Sequence, residues 1–255
     1  MNKISAIIIT KNEEANITEC LKSIAWVDEI ILVDAESSDR TIELAKNFTS
    51  KIFVNKWEGF VKQKEFALGK VSNDWVLNID ADERVTSLLK DEIVALNNEE
   101  FDGYYFRREN YLLKKHIKYC GWDNDYQLRL FRKSKVKLTD RLVHEGFIVE
   151  GKTKRLKNRL IHYTFISIEK TIGKINHYSS LQAQELFNKK KNVGGFTIIS
   201  HGLAAFFRFY ISLRGYKDGV HGLVVSLFNS LTTLMVYMKV WELQSESKLT
   251  NDKKS

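Results

Sequence analysis

Four short apolar runs, at residues 5–10, 29–34, 51–54 and 75–79, punctuate the first third of the chain. Each has the length and composition of a buried strand. Between them the pattern changes to a one-sided stripe. Ile17, Cys20, Leu21 and Ile24 recur at helical spacing, and further helices are predicted over residues 41–47, behind the N-capping run Ser37-Ser38-Asp39, and 61–70. Strands alternating with helices predict an α/β, doubly wound, mostly parallel sheet. Thr86-Ser87 then caps a helix to about residue 97, with Leu89, Ile93 and Leu96 inward, and residues 101–107 and 126–132 alternate as strands. The intervening residues 108–121 are aromatic and basic without a clear period. Residues 147–150 and 155–161 are predicted to pair around Gly151.

A long helix is predicted over residues 167–191, with Ile168, Ile172, Ile175, Leu181 and Leu186 on one face, broken by Gly194-Gly195. Two apolar, aromatic segments follow, 196–210 and 220–238, joined by Arg214-Gly215-Tyr216-Lys217. The second holds about twenty residues without a charge, the length needed to span a bilayer. Ser226, Asn229, Ser230, Thr232 and Thr233 dilute it. Two readings stay open: a pair of helices on a membrane surface with basic flanks, or a helical cap on the protein's own core. The polar end, residues 246–255, is expected to be a flexible tail.

Charge changes this picture more than composition does. The 255 residues are 44% apolar and 12% aromatic, ordinary for a folded protein. They include no proline, for which there is no physical account. Cys20 and Cys120 lie far apart, which suits a reducing compartment and supports neither a zinc site nor a disulfide framework. Net charge is +8, distributed as −8 over residues 1–106, +10 over 107–160 and +6 over 161–255. An acidic front and a basic back suggest a metal site in one and an anionic partner for the other: nucleic acid, a membrane surface or a phosphorylated glycan. A solvated basic face is the plainer alternative. The opening Met1-Asn2-Lys3 lacks the pattern of a signal peptide, so a cytoplasmic location is expected.

The candidate chemistry sits at the end of the fourth strand, where Trp75-Val76-Leu77-Asn78-Ile79 gives way to Asp80-Ala81-Asp82-Glu83. Parallel sheets bind ligands outside the carboxyl ends of their strands. Adjacent carboxylates repel unless a cation or a hydroxyl lies between them, and hard oxygen donors suit Mg²⁺ or Mn²⁺ carrying substrate phosphates. An acidic turn capping the next helix is the rival reading, and on these residues alone the two are equal. The second strand also ends in a carboxylate, Asp34. Neither GxGxxG nor GxxxxGK[ST] occurs, so bound phosphates would depend on metal and basic side chains.

Five stretches together resemble family 2 glycosyltransferases: Ile8-Ile9-Thr10-Lys11-Asn12-Glu13-Glu14, Val33-Asp34-Ala35-Glu36-Ser37-Ser38-Asp39-Arg40-Thr41, Asp80-Ala81-Asp82-Glu83, Tyr126-Gln127-Leu128-Arg129-Leu130-Phe131 and Leu142-Val143-His144-Glu145. Trp57-Glu58-Gly59-Phe60 and the aromatic, basic C-terminal part are similar to bacterial lipopolysaccharide-core β-glycosyltransferases. The resemblance covers about residues 4–245. It implies a GT-A fold over residues 1–165, with a nucleotide and metal half to about 106 and an acceptor half from 107, then a helical extension over 166–245. It implies a nucleoside-diphosphate sugar donor, UDP-sugar foremost, a Mg²⁺ or Mn²⁺ cofactor, inversion, and a glycolipid or oligosaccharide acceptor at the cytoplasmic face of the inner membrane. No nucleic-acid partner is expected.

Carried onto this chain, the resemblance places Thr10, Lys11, Asn12, Asp34, Lys64, Asp80 and Ala81 at the nucleotide-sugar. Asp34-Ala35 stands where many members have two acids. Asp82, with Asp80 and His162, would hold the metal, and Glu145 would be the catalytic base. Trp122, Gln127, Arg129 and His144 fall on the acceptor side. Two other classes compete: a nucleotidyltransferase, which would want a glycine-rich loop where Thr10–Glu14 has none, and a basic nucleic-acid-binding or membrane-binding protein without catalysis.

Overall fold

The computed structural model describes residues 3–96, 100–138, 146–165, 167–189 and 192–252. The chain divides into two compact units, residues 1–110 with 124–164, and residues 111–123 with 165–255. In the first, β1 (Ile4–Thr10), α1 (Ile17–Ile24), β2 (Glu29–Asp34), α2 (Thr41–Ala45), β3 (Ile52–Val54), α3 (Phe60–Lys70) and β4 (Trp75–Asn78) alternate as the hydrophobic pattern predicts. β5 (Glu83–Val85), α4 (Ser87–Val94) and β6 (Gly103–Leu112) follow. Then come β7 (Lys115–His116), β8 (Tyr126–Arg132), β9 (Val136–Leu138), β10 (Phe147–Val149) and β11 (Thr153–Phe165).

Among the described residues the main sheet runs β3-β2-β1-β4-β8-β6-β11-β5, with β7 paired to β6. β1, β2, β3 and β4 pair in parallel. Beyond β4 the pairings β4–β8, β6–β8 and β5–β11 are antiparallel. All six residues of β2 are buried, as a strand covered on both faces requires. Alternate residues of β1 divide between two cores. Ile4, Ala6 and Ile8 pack with Ile17, Leu21 and Ile24 of α1, whereas Ile7 packs with Ala67 and Leu68 of α3. The doubly wound sheet is therefore present, and the carboxyl ends of β1, β2 and β4 share one edge.

Three expectations are corrected. Residues 147–149 pair with β9, in register Phe147↔Leu138, and not with 155–161, which pair with β5 through Leu160↔Val85. Residues 111–123 interrupt the β6–β8 pair and group with the C-terminal segment, not with the acceptor half. The C-terminal helix α7 (Val220–Asp252) continues into the expected tail as far as Asp252.

The second unit is built from α5 (Ile168–Asn188), α6 (Gly195–Phe207) and α7. The buried face of α5 is Thr171, Ile175, Ser179 and Ala183, while Ile168 and Ile172 are exposed, against expectation. Ser179 and Ala183 on that face are small enough to let α7 approach closely, and Lys239 of α7 hydrogen-bonds Ser179 and Ser180. Gly202 of α6 serves the same end, because a Cβ there would lie 2.4 Å from Leu234 of α7. Residues 111–123 are pinned to the corner between α6 and α7. The buried Asp218 carboxylate accepts from the Tyr119 amide at 2.8 Å, and the Asp218 carbonyl accepts from Lys115 Nζ at 2.8 Å.

Candidate active site

The loops after β1 and β2 are laced together by polar side chains. Asp34, fully buried, accepts from Thr10 Oγ1 at 2.9 Å, Ser37 Oγ at 2.6 Å and the Ser37 amide at 2.7 Å. Asn12 takes a left-handed backbone (φ 55°), accepts from the Ser38 amide at 2.8 Å and donates its own amide to Ser37 Oγ. The Glu13 and Glu14 amides donate to Thr41 and Asp39. Lys11 and Asn12 are exposed at this edge, whereas Thr10 is buried. The Asp34 carboxylate, expected at the nucleoside, here ties the two loops together.

The turn after β4 closes on itself. The Asp80 amide donates to Glu83 Oε2 at 3.0 Å and the Glu83 amide returns to the Asp80 carbonyl at 2.9 Å. Ala81 is buried, and its carbonyl accepts from Arg84. Beneath the turn lies Arg129, only 5% exposed, whose guanidinium bonds both Asp80 and Glu83. Arg129, expected on the acceptor side, reaches this place through a β-bulge. Tyr104 pairs with Leu130 but Tyr105 pairs with Leu128, so Arg129 is the extra residue in β8. A bulge re-aims its side chain, and here it also sets Leu128 and Phe131, three apart, in the same core.

Electrostatics follow from burial and these partners. Burial pushes the Asp80 carboxyl up, but Arg129, Lys64, Arg108 and His162 together hold it well below the usual carboxylate range. Burial pushes Glu83 up. Burial works against the Arg129 charge, which Asp80 and Glu83 more than restore. Lys64 reaches this neighbourhood from α3, its Nζ lying 5.5 Å from the Phe147 ring.

A second chain of contacts sets one histidine. Register His162↔Glu83 between β11 and β5 brings His162 Nε2 to 3.5 Å from Asp82 Oδ2. Its Nδ1 lies 2.6 Å from Asn110 Oδ1, while Asn110 Nδ2 donates to Asp125 Oδ2 at 3.0 Å. Asp125 is held by Arg108 and Gln127; burial raises its carboxyl, but these partners and Asn110 bring it below its ordinary value. A carboxylate only accepts, so Asp125 fixes the amide orientation of Asn110. Asn110 Oδ1 in turn accepts from Nδ1–H, which turns Nε2 toward Asp82. One carboxylate and one imidazole, with the ring's other nitrogen anchored, fit a divalent ion that draws its remaining ligands from a diphosphate. No cluster of three His, Cys, Asp or Glu donors occurs among the described residues.

Of the other expected residues, Gln127 orients Asp125, and Trp122 lies in the second unit, packed with Leu112, Ile117, Cys120 and Val225. His144 and Glu145 lie outside the described residues. Sequence reasoning missed Arg108, Asn110 and Asp125. Their signal is Arg108-Glu109-Asn110 facing Asp125 across β6 and β8, hidden by the interposed residues 111–123.

The family model described as glycosyl transferase family 2 matches residues 5–147. An uncharacterized glycosyltransferase of Rickettsia typhi is 33% identical over 97% of this chain and 90% of its own length. The lipopolysaccharide core biosynthesis glycosyltransferase LpsC of Rhizobium meliloti is 28% identical over 94% of this chain and 92% of its own. The solved structure of S. aureus TarS 1–349 in complex with UDP-GlcNAc, 16% identical, covers 91% of this chain and 81% of that one with a TM-score of 0.49.

Proposed function

Because the chain belongs to glycosyl transferase family 2 and is a glycosyltransferase, we propose that it transfers a sugar, with inversion, from a nucleoside-diphosphate sugar to a membrane-presented glycolipid. A UDP-sugar is the donor and a lipopolysaccharide-core-type glycan the acceptor; likeness to LpsC supports the latter. The observation that carries the site is the opposition of Asp82 Oδ2 and His162 Nε2 at 3.5 Å, on a ring whose other nitrogen is fixed by Asn110. The family assignment replaces the nucleotidyltransferase and nucleic-acid readings.

Asp82 and His162, with Asp80 near Asp82 in sequence, would hold Mg²⁺ or Mn²⁺ together with the donor diphosphate. Such an ion supplies charge stabilisation to the departing nucleoside diphosphate. The exposed Lys11 and Asn12 edge receives the nucleoside, and Asp34 keeps that edge in shape by holding Thr10 and Ser37. Arg129 keeps Asp80 ionised and turned to the site, and Lys64 adds positive charge for the phosphates. To Glu145 we assign removal of the proton from the attacking acceptor hydroxyl, with attack on the face opposite the departing nucleoside diphosphate. The acceptor is met at the cytoplasmic face of the membrane.

The test is UDP-sugar turnover with Mn²⁺, with EDTA, and in Asp82→Ala and Glu145→Gln. Turnover should vanish with EDTA and in Asp82→Ala. Glu145→Gln should retain UDP binding by thermal shift yet lose transfer. Full turnover in EDTA would remove the metal, and normal transfer by Glu145→Gln would unseat the base.

A further inference from the structure

The helical unit carries an apolar face that its own packing leaves uncovered. Phe196, Ile199, Leu203 and Phe207 of α6 are 87%, 61%, 54% and 56% exposed. At 100° per residue they span about 80° of the helix surface. The opposite face is the one that packs. There Gly202 meets Leu234, Ile198 joins a buried cluster with Val240, and His201 lies 4.4 Å from the Tyr237 ring. Helix α6 itself contains no Asp, Glu, Lys or Arg. Its flanks contain only cations: from residue 186 to residue 217 there are six Lys or Arg and no acid. Of these, Arg208, Arg214 and Lys217 are exposed just beyond the helix.

Helix α7 satisfies length and composition for a membrane span over Val220–Ser247. Yet Val225, Ser226, Phe228, Val236, Tyr237 and Val240 are buried, several of them against α5, α6 and residues 111–123. It packs its unit through these residues while exposing Val220, Leu227, Met238 and Trp241 spread out along its length, and the four exposed apolar residues that follow closely on one face, between cationic flanks, belong to α6.

We infer that α6 is the membrane-contact element: it lies in the plane of an anionic lipid surface, with Phe196, Ile199, Leu203 and Phe207 among the acyl chains and Arg208, Arg214 and Lys217 at the headgroups. This deepens the reading of a membrane-presented acceptor by naming the element that meets the bilayer. Charge selects the occupant. An apolar face and a polybasic flank bind reversibly together where neither suffices alone. A two-fold contact with a second copy would instead bring the like-charged flanks of both chains to one interface.

The full-length protein is sedimented with phosphatidylcholine vesicles and with vesicles containing phosphatidylglycerol, beside Phe196→Asp/Leu203→Asp and Arg208→Glu/Lys217→Glu. All four positions are exposed, so each variant keeps its melting temperature. The parent should bind the phosphatidylglycerol vesicles, and release them at high salt. The apolar variant should lose at least about tenfold in partition, since each buried side chain of this size contributes more than that factor. The charge variant should lose the preference for phosphatidylglycerol. Equal binding by parent and Phe196→Asp/Leu203→Asp, or a concentration-dependent dimer abolished by that variant, would overturn the assignment. Donor turnover is measured on the same samples. A parent that binds vesicles without turning over UDP-sugars fails the transferase reading and leaves this one standing, and turnover without vesicle binding does the reverse.

Discussion

Arg129 is the residue whose removal should be felt most in the first unit. Arg129→Met keeps a similar stem but leaves Glu83, fully buried, without its closest cation and Asp80 without its clamp. Arg108 stays 3.7 Å from Glu83 and is already committed to Asp125. Breaking one side of a buried ion pair costs about 3–5 kcal/mol, because the remaining charge is uncompensated. At about 2–4 °C per kcal/mol for a unit of this size, the first unit's melting transition should fall by about 6–20 °C. The pH dependence carries the signature. Burial already pushes the Glu83 carboxyl above its ordinary value, and without Arg129 it rises further. A raised folded value means the native state binds the proton first, so stability is present at low pH and is lost as pH rises through that value. The penalty of Arg129→Met should therefore be smaller at pH 5 than at pH 7. Urea unfolding at both pH values, with Glu83→Gln and the double variant completing a cycle, measures it. A variant within about 1 kcal/mol of the parent, with a penalty equal at both pH values, would refute the clamp.

Two further predictions concern other parts of the first unit. Asn110→Leu removes the group that fixes the His162 ring, and Mn²⁺ affinity in the presence of UDP should fall about 10–100-fold by calorimetry; unchanged affinity would show that the ring needs no anchor. Glu29 on β2 is buried, which raises its carboxyl, but bonds from Lys51, Ser5 and Ser72 bring it down to about 2. It contributes at most on the order of 3 kcal/mol, Lys51 being half exposed. That contribution is present above the ordinary value of 4.5 and lost as pH falls through about 2. Glu29→Gln should lower stability at pH 7 and lessen the acid dependence below pH 4.5; an unaltered acid profile would exclude Glu29 as its source.

Periodicity was enough for what neighbouring residues decide. Strands β1, β2 and β4, the buried face of α1 and the acids at the tip of β4 follow from side-chain direction within one element, which has a period of 2 or 3.6. So does the apolar character of 196–207, though not which of its faces would be covered, since that depended on where Gly202 let α7 approach. The partners of the acids were out of reach for the same reason. Arg129 reads as one position in an alternating strand, and only the register of β6 against β8 makes it the bulge that turns beneath Asp80. His162 reads as a lone histidine at a strand end until β11 pairs with β5 and Asn110 sets its ring. Pairing register is a long-range choice, made when the whole sheet closes, so it leaves no local trace along the chain.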